Sequence, residues 1–387
     1  MDICDRKDED FLFMVVTDSL LEEFASYFSA GCKAPGQFKT GFELEHFIID
    51  SVRRNVNYSQ PGGAEQLLGE LAPRFPERAI ENGRILGLSD GEMALSLEPG
   101  GQLEVSIVPK ADIAGTQAVY GRFRKLVDPM LKKYGHRLEQ CGYLPASNIR
   151  DIELIPKERY RRMDAHFRTT GSMGMHMMRG TAACHVSIDY ADEADFVNKY
   201  RCAWLLGPVL AYISSNIPVF ESKPNRNVLL RAQIWRNVDN ARCNVPGVFD
   251  DNFGFEEYAK FVLRAPEILR EADGEERIPL YLSLVFPEVR LRQYIEIRAA
   301  DSMPEARAFA YMALVKGIFA DMPRLKACLS GFEWSEKAIL SAQDSIMKDG
   351  RRAVVYGRPI ARFVDELTDL ARHTLDGEST YLEGLAL

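Results

Sequence analysis

The apolar positions of the chain first predict a helix and then a group of strands. Over residues 15–30 they return every three or four positions, as they do on the buried face of an amphipathic helix. Over residues 42–49 the period falls to two, which predicts a strand that carries Glu43 and Glu45 on one face. Residues 84–88 and 93–98 predict a hairpin, because the Ser-Asp-Gly sequence between them is typical of a tight turn.

The middle of the chain combines further strands with two longer helices. Residues 102–107 predict a strand, and residues 113–141 predict a long helix that ends before Gly142. Alternation over residues 185–189 predicts another strand. Residues 192–214 are apolar on most sides, which predicts a mostly buried helix.

The order of these elements indicates the fold class. A last strand is predicted over residues 290–298, and residues 305–387 have a helical pattern. Because strands and helices do not alternate strictly, we expect an α+β fold with a largely antiparallel sheet and surrounding helices. No linker composition divides the chain, so we expect a single domain over residues 1–387.

Composition and charge limit the classes of function. Hydrophobic residues make up 46% of the 387 residues and charged residues 27%, which is typical of a globular protein with a sizeable core. The formal net charge of −8 argues against non-specific nucleic-acid binding, which needs a basic surface. The longest apolar run, residues 203–213, is too short to cross a bilayer. We therefore expect small-molecule partners, no nucleic acid and no membrane, and the oligomeric state stays open.

The cysteines and the first residues bear on the location of the protein. Seven cysteines are scattered along the chain without a CxxC pair, which is typical of reduced thiols. The first ten residues are charged and acidic, unlike a secretory signal peptide. Together these features predict a cytoplasmic protein.

Four predicted strands each carry acids or bases on one face. These residues are Glu43 and Glu45, Glu98 and Glu104, His185 and Asp189, and Arg292, Glu296 and Arg298. A single strand of this kind is typical of a solvent-facing sheet, and a lone histidine is usually structural. The repetition over four strands, almost without lysine, favours a shared site instead.

Such charged faces need cations where they meet, because neighbouring carboxylates raise one another's pKa. Mg²⁺ takes octahedral oxygen ligands and leaves positions for phosphate groups. Arginines bind carboxylate and phosphate groups bidentately. The residues therefore indicate a sheet-lined pocket for metal, nucleotide phosphates and an acidic substrate, suited to phosphoryl transfer. Neither a GxxxxGK[ST] loop nor a GxGxxG fingerprint is present, so the use of ATP does not follow from a nucleotide motif.

Several segments of the chain resemble the plant-type glutamate–cysteine ligases. They are residues 96–106, 155–160, 234–242, 248–256 and 286–301. The similarity keeps the same order from about residue 40 to about residue 304. The motifs SLEPGGQ and FPEVRL are long and specific, which makes a chance match remote.

The resemblance implies a glutamine-synthetase-like catalytic fold, in which antiparallel strands form a funnel around Mg²⁺ and ATP. The helical part over residues 305–387 lies beyond this family core. The metal-binding residues that the resemblance implies are Glu43, Glu45, Glu98, Glu104, His185 and Glu296. At the position of His185 the related bacterial branch has a metal-binding histidine, whereas the plant branch has glutamine.

The resemblance also assigns substrate contacts. Thr181 and Arg231 fall on positions that hold the glutamate substrate, and Trp235 and Arg242 belong to the same substrate-binding set. Trp235 could equally fill the core. For the nucleotide the implied residues are Arg292 and Arg298, and for catalysis they are Glu296 and Arg298.

The implied reaction has two steps. The γ-carboxylate of glutamate takes the γ-phosphoryl group of ATP to give an acyl phosphate, and the amine of cysteine then displaces phosphate. Metal ions and arginines stabilise the negative charge that develops in both steps. The sequence does not identify the base that takes the proton of the amine.

Departures from the plant pattern leave the amine acceptor open. Residues 281–284 read Tyr-Leu-Ser-Leu where the plant branch has His-Leu-Thr-Thr, and residues 179–184 also differ. The alternatives are a ligase that joins glutamate to another amine, a catalytically silent ligand-binding homologue, and a guanidino-phosphotransferase. All five glutamates are present, which disfavours the silent homologue, and the signatures of the phosphotransferase are not found.

Overall fold

The computed structural model describes residues 17–269 and 277–385. Its strands are β1 (Thr40–Ile49), β2 (Glu77–Glu81), β3 (Arg84–Ser89), β4 (Met93–Leu97), β5 (Leu103–Lys110), β6 (Arg137–Glu139), β7 (Ala183–Ile188), β8 (Val219–Phe220), β9 (Lys223–Pro224), β10 (Val289–Leu291), β11 (Ile295–Asp301), β12 (Val354–Val355) and β13 (Arg358–Pro359). Its α-helices are α1 (Asp18–Ser29), α2 (Ala64–Leu71), α3 (Ile113–Lys132), α4 (Glu158–Thr170), α5 (Gly174–Gly180), α6 (Glu193–Ser214), α7 (Leu230–Trp235), α8 (Asn240–Cys243), α9 (Phe255–Arg264), α10 (Arg277–Leu282), α11 (Glu305–Ala320), α12 (Met322–Cys328), α13 (Glu336–Asp349) and α14 (Ile360–Thr374).

One large antiparallel sheet organises the chain. Its strand order is β10-β11-β7-β1-β5-β4-β3-β2, and β6 pairs with the far end of β1. All neighbours in this order run antiparallel. The prediction of an α+β fold with a largely antiparallel sheet is confirmed.

The register of the central strands brings distant charged residues onto one face. Glu43 lies opposite His185 on β7, and Glu45 lies opposite Glu104 on β5. Glu296 on β11 lies opposite Ser187, two positions beyond His185 on β7. Side chains of opposed residues lie on the same face, about 5 Å apart, so the pairing itself gathers these groups.

Strand β1 is covered on both faces, which explains why almost all of its residues are buried. On one face Phe42 stacks on Phe309 of α11, with ring centroids 5.1 Å apart. On the same face His46 Nε2 lies 2.9 Å from the hydroxyl of Tyr120 on α3. The other face bears the glutamates. Because successive side chains of a strand point to opposite faces, the apolar residues of β1 face the core and its glutamates face the candidate site.

Two helices occupy the interior. The buried residues of α6 and α11 lie all around each helix, as expected for helices enclosed by other elements. Nearly all buried apolar side chains of the described residues, from Leu20 to Leu385, join in one connected cluster. Across the described ranges, no helix combines the length and apolar character needed to cross a membrane.

Helix α1 and the first hairpin agree with the sequence pattern. The helix predicted over residues 15–30 spans Asp18–Ser29, with the side chain of Thr17 accepting a hydrogen bond from the Leu20 amide at 3.3 Å. Residues 15 and 16 lie outside the described residues. The predicted hairpin is formed by β3 and β4.

The long helix predicted over residues 113–141 is shorter than expected. Helix α3 ends at Lys132, and Gly135 reverses the chain with a φ of +74°. Residues Arg137–Glu139 then form β6 beside β1. The apolar spacing that suggested a helix beyond Gly135 arises because Leu138 is a buried strand residue.

The single strand predicted over residues 290–298 is a hairpin. Strands β10 and β11 pair with Val289 opposite Ile297 and Leu291 opposite Ile295. A turn therefore occupies the centre of the predicted strand. Period-two alternation continues through a short turn, which is why the pattern did not reveal it.

Candidate active site

A cavity of about 290 Å³ opens on the charged face of the sheet. Strands β1, β5, β7 and β11 provide one wall, and α4, α5 and α7 provide the other. Ten of the predicted site residues line it: Glu43, Glu45, Glu98, Glu104, Thr181, His185, Arg231, Trp235, Arg292 and Arg298. The other two, Glu296 and Arg242, lie outside its lining.

The acidic residues and His185 form two groups of possible metal ligands. One ligand atom from each of Glu43, Glu104 and His185 lies within 4.8 Å of the others, and the same holds for Glu45, Glu98 and Glu104. Glu104 belongs to both groups, so they are adjacent. Carboxylate oxygens in such groups match the ligand preference of Mg²⁺.

Burial and mutual repulsion act on the carboxyl groups of this cavity. Burial, together with Glu296, raises the pKa of Glu43 to about 7. Burial and the neighbouring Glu104 raise the pKa of Glu98 to about 7, and burial likewise raises that of Glu104 to about 7. Burial, together with Glu98 and Glu104, also raises the pKa of Glu45 well above its ordinary value. This is the condition that a bound divalent cation relieves.

His185 has one ring nitrogen in use and one free. Its Nδ1 lies 3.1 Å from Oε2 of Glu43. Its Nε2 is buried and has no hydrogen-bond partner among the described residues. Burial, together with Arg298, lowers the pKa of His185 well below its ordinary value, so the ring is neutral and can donate a lone pair to a ligand.

Glu98 is placed by the turn that follows β4. Its backbone amide donates to the carbonyl of Gln102 at 2.9 Å, and the Gly101 amide donates to the carbonyl of Glu98 at 2.8 Å. A Cβ on Gly100 would lie 2.7 Å from the carbonyl oxygen of Arg179. The Pro-Gly-Gly sequence therefore lets the turn approach the last turn of α5 and places Glu98 in the lining of the cavity.

Glu296 lies beneath the cavity and is paired with arginines. Arg290 donates from Nε to Oε2 at 2.5 Å and from Nη2 to Oε1 at 3.1 Å, and Arg298 Nη1 donates to Oε1 at 3.2 Å. Burial would raise the pKa of Glu296, but Arg290, Arg298 and Arg292 hold it well below its ordinary value. Glu296 is not part of either ligand group, and its role as a metal ligand stays a prediction.

Three cations of the cavity were missed by the sequence analysis. They are Arg290, Lys157 and Arg159. Arg159 Nη1 donates to the hydroxyl of Ser283 at 2.7 Å, and burial lowers the pKa of Lys157. Residues 155–160 supported the resemblance, yet a lysine and an arginine at the start of a helix carry no pattern that would assign them to a site.

Thr181, Arg231 and Trp235 lie together at one end of the cavity. The Thr181 hydroxyl donates to the carbonyl of Met177 at 2.7 Å, and Arg231 Nη1 donates to the carbonyl of Arg298 at 2.9 Å. The guanidinium carbon of Arg231 lies 5.9 Å from the centre of the Trp235 ring. The Nε atom of Arg231 is buried without a partner among the described residues, so it can serve an anionic ligand.

Arg242 is not among the residues that line the cavity, and its role as a substrate contact stays a prediction. Its side chain is 1% exposed, and its Nε lies 3.2 Å from Oδ2 of Asp239. Its Nη1 donates to the carbonyl of Leu284 at 2.8 Å. His166 Nε2 contacts the same Asp239 carboxylate at 2.7 Å. Arg242 therefore holds the segment before β10 in place, and the one-letter pattern could not distinguish this from ligand binding.

The cavity can hold opposite charges at the same time. Its carboxylates suit divalent cations, and its arginines and lysine suit phosphate or carboxylate groups. Cys184, next to His185 in sequence, is buried on the opposite face of β7 and does not line the cavity. The geometry favours transfer of a phosphoryl group, and no cysteine is among the described residues that line the cavity.

Comparisons with known proteins give a family and a fold. The model of the glutamate–cysteine ligase family 2 matches residues 39–372. The chain is 30% identical to the chloroplastic glutamate–cysteine ligase of Solanum lycopersicum over 386 residues, covering 92% of this chain and 73% of that protein. For the chloroplastic enzyme of Arabidopsis thaliana the identity is 31%, with 82% of this chain and 66% of that protein covered. A crystal structure of glutamate–cysteine ligase from Francisella tularensis in complex with AMP has a similar fold, with a TM-score of 0.55, 12% identity, and 90% and 80% of the two chains covered.

These relatives correct the predicted location. Their names place them in the chloroplast, so the prediction of a cytoplasmic protein is wrong by this comparison. Scattered thiols and an acidic beginning are compatible with any reducing compartment, so they could not identify one.

Proposed function

The chain belongs to the glutamate–cysteine ligase family 2, and we propose that it joins the γ-carboxylate of glutamate to the amine of cysteine with ATP as the phosphoryl donor. The product is γ-glutamylcysteine, the first intermediate of glutathione synthesis. The substrates are small molecules, and we propose that residues 1–387 act as one catalytic domain.

The observation that carries the proposal is the meeting of acids and bases from distant segments in one cavity. Glu43, Glu104 and His185 come from three strands, and Arg231 and Arg298 come from a helix and a fourth strand. All lie within the residues that match the family. A cavity with this charge pattern suits an acidic substrate and a triphosphate together with divalent cations.

The residues present fit Mg²⁺. The two groups of ligand atoms, the raised pKa values of the carboxyl groups and the free Nε2 of His185 each describe a site that a cation would complete. Glu43, Glu104 and His185 would hold one ion, and Glu45, Glu98 and Glu104 would hold a second. Bound Mg²⁺ would neutralise phosphate oxygens and orient the phosphoryl group.

In the first step the γ-carboxylate of glutamate attacks the γ-phosphorus of ATP, ADP leaves, and an acyl phosphate forms. Arg298 lines the cavity beside Glu296, where its guanidinium can bind the oxygens of the transferred group. Arg292 lines the same cavity and is assigned to the nucleotide. Arg231 and Thr181 hold the other end of glutamate.

In the second step the amine nitrogen attacks the carbonyl carbon of the acyl phosphate, the C–O bond to phosphate breaks, and the proton lost by the amine is taken up by the departing phosphate or by water. The arginines then stabilise the departing anion. Trp235 lines the cavity beside Arg231, and its ring covers part of the space in which the acyl phosphate would lie.

The test uses the full chain with ATP, Mg²⁺ and glutamate. We expect ADP release to depend on cysteine and the product to have the mass of γ-glutamylcysteine. Replacing Mg²⁺ by a chelator should stop the reaction. The proposal would be contradicted if no ADP were released, or if the release of ADP did not depend on cysteine.

A panel of acceptors tests the amine. Ser283, whose hydroxyl and carbonyl both accept from Arg159, lines the cavity in the segment that departs from the plant pattern. Serine, alanine and glycine should each give kcat/KM at least about 10-fold below that of cysteine, a difference that corresponds to about 1.4 kcal/mol. If another amine gives an equal or higher kcat/KM, that amine rather than cysteine is the acceptor. The proposed transfer of the phosphoryl group to glutamate would be unaffected.

A further inference from the structure

A second cavity, of about 560 Å³, lies next to the catalytic one. It is bounded by α7, by the segment after α8 and by α13. Trp235 and Phe286 line both cavities, so a single layer of aromatic side chains separates them. Nothing in the ligase reaction described above uses this second space.

Its walls are unusually aromatic. Three tryptophans and two phenylalanines line it: Trp204, Trp235, Trp334, Phe249 and Phe286. Trp235 and Phe286 lie 5.9 Å apart between ring centres, and Phe249 and Trp334 lie 6.3 Å apart. Aromatic faces attract cations, most strongly where water is excluded.

Two hydrogen-bond acceptors in this cavity need donors. Gln343 is 4% exposed, and its Oε1 has no partner among the described residues. Its Nε2 reaches Oε1 of Glu288 at 3.5 Å. Glu288 makes no ion pair within the described ranges. An amide oxygen and a carboxylate are therefore left facing the cavity with acceptor capacity to spare.

The helix opposite Glu288 leaves room for its carboxylate. A Cβ on Gly207 of α6 would lie 3.0 Å from Oε2 of Glu288. Glycine inside a helix costs about 1 kcal/mol relative to alanine. The space kept here is thus occupied by the Glu288 carboxyl group, whose pKa burial raises while the more distant Arg231 and Arg236 oppose this shift without forming an ion pair with it.

The charge of the lining is negative. Glu288, Asp250 and Glu336 contribute carboxylates, whereas Arg236 contributes the one guanidinium of the lining and lies 3.3 Å from Asp344. Burial raises the pKa of the Cys243 thiol to about 12, so this thiol is neutral. A cation is favoured over an anion in such surroundings.

We propose that this second cavity binds a small organic ammonium ion with an apolar body. The ammonium group donates hydrogen bonds to Glu288 and to Oε1 of Gln343. The apolar body packs against Trp334 and Phe249. The proposal does not depend on the ligase activity.

A neutral ligand is the alternative that the test must exclude. The indole N–H groups of Trp204 and Trp235 also lack acceptors among the described residues, and a hydroxyl group would satisfy them. We therefore compare phenethylammonium chloride with 2-phenylethanol, which has the same body without the charge, by titration calorimetry on the full chain. We expect the ammonium compound to bind at least about 10-fold more tightly.

Variants locate the binding. Glu288→Gln should remove the preference for the cation, Gln343→Leu should weaken the cation more than the alcohol, and Trp334→Ala should weaken both. Glu104→Gln, in the catalytic cavity, should leave the affinity of the cation unchanged. The proposal is overturned if the two compounds bind equally, if neither binds, or if Glu104→Gln rather than Glu288→Gln abolishes binding. If Glu288→Gln does not fold, the affinities of Gln343→Leu and Trp334→Ala for the two compounds test the proposal, which is overturned if neither variant binds the cation more weakly than the wild type.

Discussion

The guanidinium of Arg290 and the carboxylate of Glu296 face each other across the β10–β11 hairpin and share two hydrogen bonds. Both side chains are buried, Arg290 at 7% and Glu296 at 1% exposure. Arg298 reaches the same carboxylate. One acid thus serves as counter-ion for two buried guanidinium groups next to the candidate active site.

Removing this counter-ion should affect both stability and turnover. Glu296→Gln leaves Arg290 and Arg298 buried without a negative partner, and breaking a buried ion pair costs about 3–5 kcal/mol. We expect the free energy of unfolding in urea to fall by about this amount and ADP formation to be lost. Unchanged stability would show that the arginines find another partner.

Glu104→Gln should have the opposite effect on stability. Glu104 lies among carboxylates that raise its pKa, so a neutral amide relieves repulsion in the metal-free protein. We expect a higher melting temperature without Mg²⁺ and loss of turnover with it. A lower melting temperature in chelator would contradict the repulsion that we infer.

The same carboxyl groups predict a dependence of stability on pH. The pKa values of Glu43, Glu98 and Glu104 are about 7 in the folded protein, above the ordinary value of 4.5. At these three carboxyl groups the folded state binds more protons than the unfolded chain between about pH 4.5 and pH 7, so they make the free energy of unfolding fall as the pH rises through this window. The lowered pKa of His185 opposes this slope below its ordinary value of 6.5, so the fall is clearest between pH 6.5 and pH 7.

This dependence can be measured by calorimetry between pH 5 and pH 8. In the presence of a chelator we expect the melting temperature to decrease with pH, and Mg²⁺ should reduce or reverse the decrease. Glu104→Gln should flatten the curve in chelator. If the melting temperature changes with pH equally in the wild type and in Glu104→Gln, Glu104 does not cause the dependence.

Arg298→Lys should slow the chemical step. A lysine is a point charge and cannot reproduce the planar set of donors that a phosphoryl group accepts. We expect kcat to decrease about 100-fold, as for loss of one donor to a developing anion. Arg362→Lys, an exposed arginine paired with Glu366, is the matched control and should not change kcat. A similar kcat for Arg298→Lys and the wild type would exclude Arg298 from the step.

Variants of two arginines from neighbouring segments should distinguish an effect on glutamate binding from an effect on protein stability. Arg231→Lys should raise the KM for glutamate about 10-fold or more, because Arg231 lines the cavity. Arg242→Lys should lower the melting temperature and leave that KM unchanged, because Arg242 pairs with Asp239 outside the cavity. A raised KM for glutamate in Arg242→Lys at normal stability would identify it as a substrate contact.

The sequence predicted the strands that carry the acids, because alternation of apolar and charged residues follows directly from a sheet with one face in the core. It could not give the register that brings Glu43 opposite His185, since pairing across 142 positions leaves no local mark. The sequence did not identify Arg290 as a site residue for the same reason, because its pairing with Glu296 can be inferred only when the turn between β10 and β11 is known. Arg242 is a motif residue that the sequence assigned to the substrate, and in the structure its guanidinium pairs with Asp239; nothing in the sequence indicated this ion pair.

The arginine–glutamate pair and the metal-ligand groups of the candidate site differ in the length of chain that must fold before each can form. Arg290 and Glu296 are six positions apart, so one short loop closes their contact. Glu43 and His185 are 142 positions apart, and their contact requires β1 and β7 to have found each other. We infer that during refolding the arginine–glutamate hairpin is available early, whereas the metal-ligand groups appear with the completed central sheet.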